Sequence, residues 1–162
     1  MSAEIDVKPK SLYDVDYQLW LEDTVAQLQS QNFSALDLEN LIEEIESLGR
    51  SDKRSLNSYL KRLCEHLLKL SYWETERNRC FSGWDREIGN FRQEIQEILD
   101  DSPSLRNHLK NRYTAEYVKG RDLFLRVSKL DAKQVPEEPC FTLEQALDSK
   151  WLPWQPDLSD KD

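Results

Sequence analysis

Apolar residues in this chain return every third or fourth position along most of its length, and nowhere do they alternate in pairs. Tyr17, Trp20, Leu21, Thr24, Val25 and Leu28 share one stripe, and Leu38, Leu41, Ile42, Ile45 and Leu48 a second. Leu56, Tyr59, Leu60, Leu63, Cys64, Leu67 and Leu70 make a third. Trp84, Ile88, Phe91, Ile95, Ile98 and Leu99 follow, then Leu105, Leu109, Tyr113, Tyr117, Leu123, Phe124 and Val127. This spacing sets side chains on one face of an α-helix, whereas a strand needs strict alternation. Gly occurs only 4 times, too rarely for a sheet rich in tight turns. The pattern predicts an all-α fold, a mainly antiparallel bundle of four to five helices set side by side by short connections.

The signals between stripes place helices over 14–30, 38–49, 52–73, 83–100 and 103–129. Asp37 is a suitable N-cap for the second, Gly49 a C-cap, and Ser51 a cap for the third. Residues 29–36 read as a connector with Phe33 and Leu36 turned inward. Glu74–Phe81 is polar and basic and reads as a loop, after which Ser82 and Asp85 form a box-like start. Ser102-Pro103 opens the fifth helix. Beyond Lys129, Pro136, Pro139, Pro153 and Pro156 break any long helix, while Thr142 and Gln145 can cap one short turn. Phe141, Trp151, Leu152 and Trp154 are too apolar for a free tail, so residues 136–156 should cross the bundle as an irregular strap. Residues 1–10 and 157–162 are expected to be disordered, and 1–162 to form a single domain.

Charge narrows the partners. The net charge is −9, with 3 bases and 11 acids in residues 1–50, 9 and 6 in 51–92, and 10 and 14 in 93–162. Phosphate backbones are bound through Lys and Arg, so nucleic acid is disfavoured and could concentrate only at the middle segment. Cys64, Cys80 and Cys140 are odd in number and form no Cys-x-x-Cys pair. Free buried thiols in a reducing cytoplasm fit better than a disulfide framework or a structural zinc. Neither a signal-like N-terminus nor a bilayer-length apolar run is present, which predicts a cytoplasmic protein without membrane association.

The stretch Asn40-Leu41-Ile42-Glu43-Glu44-Ile45-Glu46-Ser47-Leu48-Gly49-Arg50-Ser51 resembles the domain-of-unknown-function family twenty-nine, abundant in cyanobacteria. So do Tyr13-Asp14-x-Asp16-Tyr17-x-x-Trp20, His66-Leu67-Leu68-Lys69, Asp101-Ser102-Pro103-Ser104-Leu105-Arg106 and Pro139-Cys140-Phe141-Thr142. These segments fall in the family's order and span nearly the whole chain. A Pro-Tyr pair often found before the family's late Thr is here Cys140-Phe141. The resemblance implies a helical bundle in a bacterial cytoplasm, and no activity.

Four groups of polar residues can carry chemistry. Glu39, Glu43, Glu46 and Arg50 share the flank of the second stripe, with Glu44 pointing elsewhere. A carboxylate row can take a hard cation or act as acid and base, or it can be a solvated face with Glu46 paired to Arg50. His66, one turn from Arg62, is either a general base or a boundary residue bonded to a carboxylate or carbonyl. Glu116 lies in the fifth stripe with Arg112 at its edge and Gly120 nearby. That is either a buried ion pair or a polar pocket, with Arg92 in reach of it or of the acidic flank. Trp73, Arg77, Arg79, Trp84 and Arg86 mix aromatics with bases, as single-strand binders do, or are core tryptophans beside solvated charges.

No metal site or cofactor is expected. There are two His, neither with Glu three residues before it, and no Gly-rich phosphate loop, nucleophile elbow or His-Glu-x-x-His motif. The sequence favours a non-catalytic interaction or regulatory module with a protein partner, or a homodimer. One rival is an enzyme on RNA or another phosphodiester, using His66 with Glu43 or Glu46 as partner and Arg50, Arg62 or Arg92 as clamp. A second is a small-ligand bundle around Glu116.

Overall fold

The computed structural model describes residues 9–157. The disorder expected at 1–8 and 158–162 lies outside them, and Pro9, Lys10 and Asp157 have no regular secondary structure. No strand occurs among the described residues, so the fold is all-α as the stripes predict. The chain divides into two compact units, Met1–Arg50 and Ser51–Asp162.

The first unit holds α1 (Leu12–Val15), α2 (Tyr17–Gln29), a single 3-10 turn (Phe33–Ala35) and the start of α3 (Leu38–Tyr72). The helix expected over 14–30 breaks at Asp16, whose extended backbone (φ −145°) lets its carboxylate accept from the Leu19 amide at 3.0 Å. A capping side chain inside an apolar pattern thus restarts a helix rather than merely decorating it. Ser11 and Asp14 form the box that starts α1. Trp20 is buried edge-on against Tyr13 at 4.8 Å and stacked on Tyr17 at 6.0 Å. Phe33, expected inside, is exposed, because the 3-10 turn after Gln31 (φ 57°) carries it outward.

Two boundaries differ from the sequence reading. Gly49 does not end a helix and Ser51 does not cap one, since α3 runs unbroken to Tyr72. A glycine in a helix costs only about 1 kcal/mol. Stopping would instead leave the last carbonyls and the next amides without partners. Glu74–Phe81 is likewise helix, so Ser82 is interior to α4 (Glu74–Asp101). Glu74 and Glu76 complement the positive end of α4, and the segment has no Gly or Pro to stop it. Its polarity marks a solvated face.

The second unit packs the rest of α3 with α4 and α5 (Leu105–Ser128), joined by Trp73 alone and by Ser102–Ser104. Leu56, Leu60, Leu63, Leu67, Ile88, Ile95, Leu109, Tyr117 and Phe124 fill its core. Lys129, in the left-handed region at φ 59°, ends α5. A strap follows, containing a 3-10 turn (Ala132–Gln134) and α6 (Leu143–Leu147). Thr142 and Gln145 form the reciprocal cap expected of them. Val135, Phe141, Leu143 and Ala146 drop into the core. All three cysteines are free, but only Cys64 is buried; Cys80 is half-buried and Cys140 exposed.

Gly120 sets the α3–α5 approach. A Cβ there would lie 2.6 Å from the Lys61 carbonyl oxygen and 3.1 Å from Cys64 Cβ, whereas one at Gly89 would meet nothing. Gly120→Ala should therefore destabilise by about 1–3 kcal/mol in urea unfolding. Gly89→Ala should stabilise by about 0.5–1 kcal/mol. Equal effects at both positions would mean that the two helices are not in backbone contact.

Candidate functional site

In the first unit, one side of α3 is covered and one is not. Tyr13 donates to Glu44 Oε2 at 2.8 Å, and Tyr17 donates to Oε1. These bonds, Tyr17's first, hold the Glu44 carboxyl below the usual carboxylate range and push both phenols up. Asp37 caps the segment, accepting from the Asn40 side chain at 2.7 Å, which lowers its own carboxyl. Sequence reading set Glu44 aside. The available signal was Tyr13 and Tyr17 four residues apart, two hydroxyls on one face in need of an acceptor.

The rest of that stretch faces outward. Leu38 is 56% exposed, Ile42 55%, Ile45 60% and Leu48 65%. The stripe expected in a bundle core is thus open except at Leu41, which is half-buried. Its neighbouring flank carries Glu39, Glu43 and Glu46, all exposed. Arg50 reaches Glu43 at 2.7 Å and Glu46 only at 3.8 Å, so the pairing expected with Glu46 is the weaker of two. Among the described residues no group of three His, Cys, Asp or Glu side chains converges as a metal would require.

The remaining predicted site residues lie in the second unit, where most are engaged by structure, while Arg79 and Arg86 are exposed. His66 is buried against Phe91, ring centroids 5.4 Å apart, with Nδ1 2.9 Å from the Arg62 carbonyl oxygen. A carbonyl only accepts, so Nδ1 carries the proton. Burial, then the Lys69 charge, lowers the His66 pKa from its ordinary 6.5. The Arg62 guanidinium bonds Glu65 at 2.6 Å, and Lys69 meets the same buried carboxylate at 3.3 Å. Trp84 stacks on Trp73 at 5.6 Å with the Lys69 ammonium 5.7 Å from its ring. That face is not free for a base. Arg77, expected in a basic loop, donates to the carbonyls of Leu70 and Ser71 at the end of α3 and lies 4.5 Å from the Trp154 ring.

Arg112 bonds Glu116 at 2.8 Å and Lys119 meets it at 3.2 Å, which neutralises a carboxylate only 2% exposed. The room that Gly120 leaves is taken by α3 rather than by a cavity. Arg92 does not bond Glu116. Its Nε donates to Ala146 O and its Nη2 to Trp151 O, both at 2.8 Å. Arg121, unflagged by sequence reasoning, does the same for Ala132 O at 2.7 Å and Val135 O at 2.9 Å. A charged residue beside Gly120 in an apolar stripe was the signal for it.

The family described as Domain of unknown function DUF29 matches residues 12–152. The chain belongs to that family. No curated protein and no solved structure matches it. Two segments that carry the family resemblance, Tyr13 to Trp20 and Asn40 to Ser51, meet in the bonds from Tyr13 and Tyr17 to Glu44. No helix among the described residues is long and apolar enough to cross a membrane.

His66 makes stability depend on pH. Its folded pKa lies below the unfolded value, so the unfolded chain binds the proton more readily. The contribution is complete above the unfolded pKa and is lost as pH falls below it. Tm should drop as pH falls from about 7 to 5, and His66→Gln should remove that part of the slope. A slope unchanged by the substitution would place the titrating group elsewhere. Arg92→Met should cost about 2–4 kcal/mol in urea unfolding, since it orphans buried strap carbonyls.

Proposed function

We propose that this protein is a non-catalytic, cytoplasmic protein-interaction module, and that the open face of α3 between Leu38 and Leu48 is its docking surface. The observation that carries the reading is the exposure of four of the five stripe positions, Leu38, Ile42, Ile45 and Leu48, each more than half open to water. Single exposed apolar residues are ordinary, but a ridge of them on one helix is the usual mark of a binding face. Helix-in-groove and helix-on-helix recognition both read such i, i+4, i+7 anchors. Three free cysteines suit a reducing compartment.

The groups named for phosphodiester chemistry support this reading by being occupied. His66 is buried, Arg92 is bound to three strap carbonyls, and Trp84 is covered by Trp73.

Ile42→Asp and Ile45→Asp test the proposal. Both side chains are exposed, so each variant should keep the parent's far-UV spectrum and lie within about 0.5 kcal/mol of its stability. Each should abolish co-purification of a stoichiometric partner from the native host, while Val127→Asp, at an exposed site in the second unit, should not. Retention of the partner by both Ile variants would refute the assignment of this face.

A further inference from the structure

The chemistry of the partner is written along the edge of the same face. We infer that its occupant is a basic amphipathic helix of another protein, with Lys or Arg along one side of an apolar stripe; the inference rests on the docking reading above. At about 100° per residue, Glu39, Glu43 and Glu46 fall on the flank adjoining Leu38, Ile42 and Ile45. A helix laid on that ridge therefore brings its own flanking residues against three exposed carboxylates. Among the described residues two cations lie near the row: Arg50 is already held by Glu43 and Glu46, and Lys10 shares a shallow pocket with Glu39, Asp14 and Asp37, where acids outnumber it. Charges beside an apolar seam set partner choice in paired helices, and a row whose acids outnumber the bases beside it asks for cations.

The same charge disfavours the other occupants. A second copy would bring the same acid row and the same engaged Arg50, on a segment of 11 acids and 3 bases in residues 1–50. Like charges across a seam are repulsive in either orientation. Nucleic acid and anionic lipid headgroups meet the same repulsion. Leu38 to Leu48 rises about 15 Å along the helix, so the complementary segment is about three turns long.

Two synthetic helical peptides of about 15 residues test this, sharing one Leu/Ile stripe and carrying either Lys or Glu on its flank. The full-length chain is titrated into each by fluorescence anisotropy. The Lys peptide should bind, at least about tenfold more tightly than the Glu peptide, and should weaken as salt rises from about 0.05 to 0.5 M. Ile45→Asp should remove that binding, and Glu39→Lys combined with Glu43→Lys and Glu46→Lys should reverse the preference. The salt dependence is read on the parent chain and so does not rely on any variant folding.

Equal binding of both peptides, lost in Ile45→Asp, would overturn the basic-partner inference and leave the docking surface standing. Binding of the Lys peptide that survives Ile45→Asp would be general charge attraction and would also overturn it. If neither peptide binds and sedimentation shows a dimer broken by Ile45→Asp, the occupant is a second copy. Ile45-dependent binding to phosphatidylglycerol vesicles would make it a lipid surface. A monomer that binds none of these would sink the docking reading as well.

Discussion

A strap of irregular chain lying on an apolar core must find donors for its carbonyl groups, because water cannot reach them there. In the second unit those donors are side chains of α4 and α5. Arg92 serves Ala146, Gln145 and Trp151; Arg121 serves Ala132 and Val135; Tyr113 serves Phe141 and Tyr117 serves Pro136. Four prolines between residues 136 and 156 forbid a helix that would satisfy the same carbonyls internally. Guanidinium groups suit the task, since one planar fork reaches two or three acceptors at once. With these bonds in place, Phe141, Leu143 and Ala146 can be buried. Without them, the strap would have to stay in water and the core beneath it would be uncovered.

The same logic explains the charges buried between helices. Glu65 and Glu116 are each nearly inaccessible, and each is met by two cations on its own helix at i±3 and i±4. The backbone contact at Gly120 brings α5 against Lys61, Cys64 and Glu65. The carboxylates sit beside this close approach, paired locally, so each helix arrives already neutralised. Removing one cation would leave part of a buried charge uncompensated, which is worse than never having had the pair. Such residues look catalytic in a sequence because burial and charge are also the signature of active sites. Here each has a structural partner.

The core of the second unit was legible because period and polarity agree there. Leu56, Leu60, Leu63, Ile88, Ile95, Leu99 and Phe124 were read as inward and are buried. The cap at Thr142 and Gln145 was legible because it needs only neighbours three residues apart. Gly49 and Ser82 misled because a helix tolerates the residues that can also end it. The partners of Arg92 and Tyr17 were invisible for a different reason. They lie 53–59 and 27 residues away, and side-chain spacing reports only what one element presents to itself. Periodicity likewise announced that the face from Leu38 to Leu48 is apolar, but it cannot say what covers it.

That face also resists explanation by helix stability. Ile42 and Ile45 are β-branched, and Glu, Lys or Ala would serve a solvated helix better. On the covered side of the same segment the choices are economical: Glu44 takes two tyrosine hydroxyls and Asp37 caps the first turn. Local requirements are thus met with polar residues where polar residues suffice. Isoleucine stands at two positions where the folded chain gains little burial and no helix propensity from it. A surface that is costly for the isolated chain becomes favourable once another molecule removes it from water, at roughly 25 cal/mol per Å² of apolar area. The acid row beside it then acts on choice rather than on strength, since it excludes partners that carry the same sign.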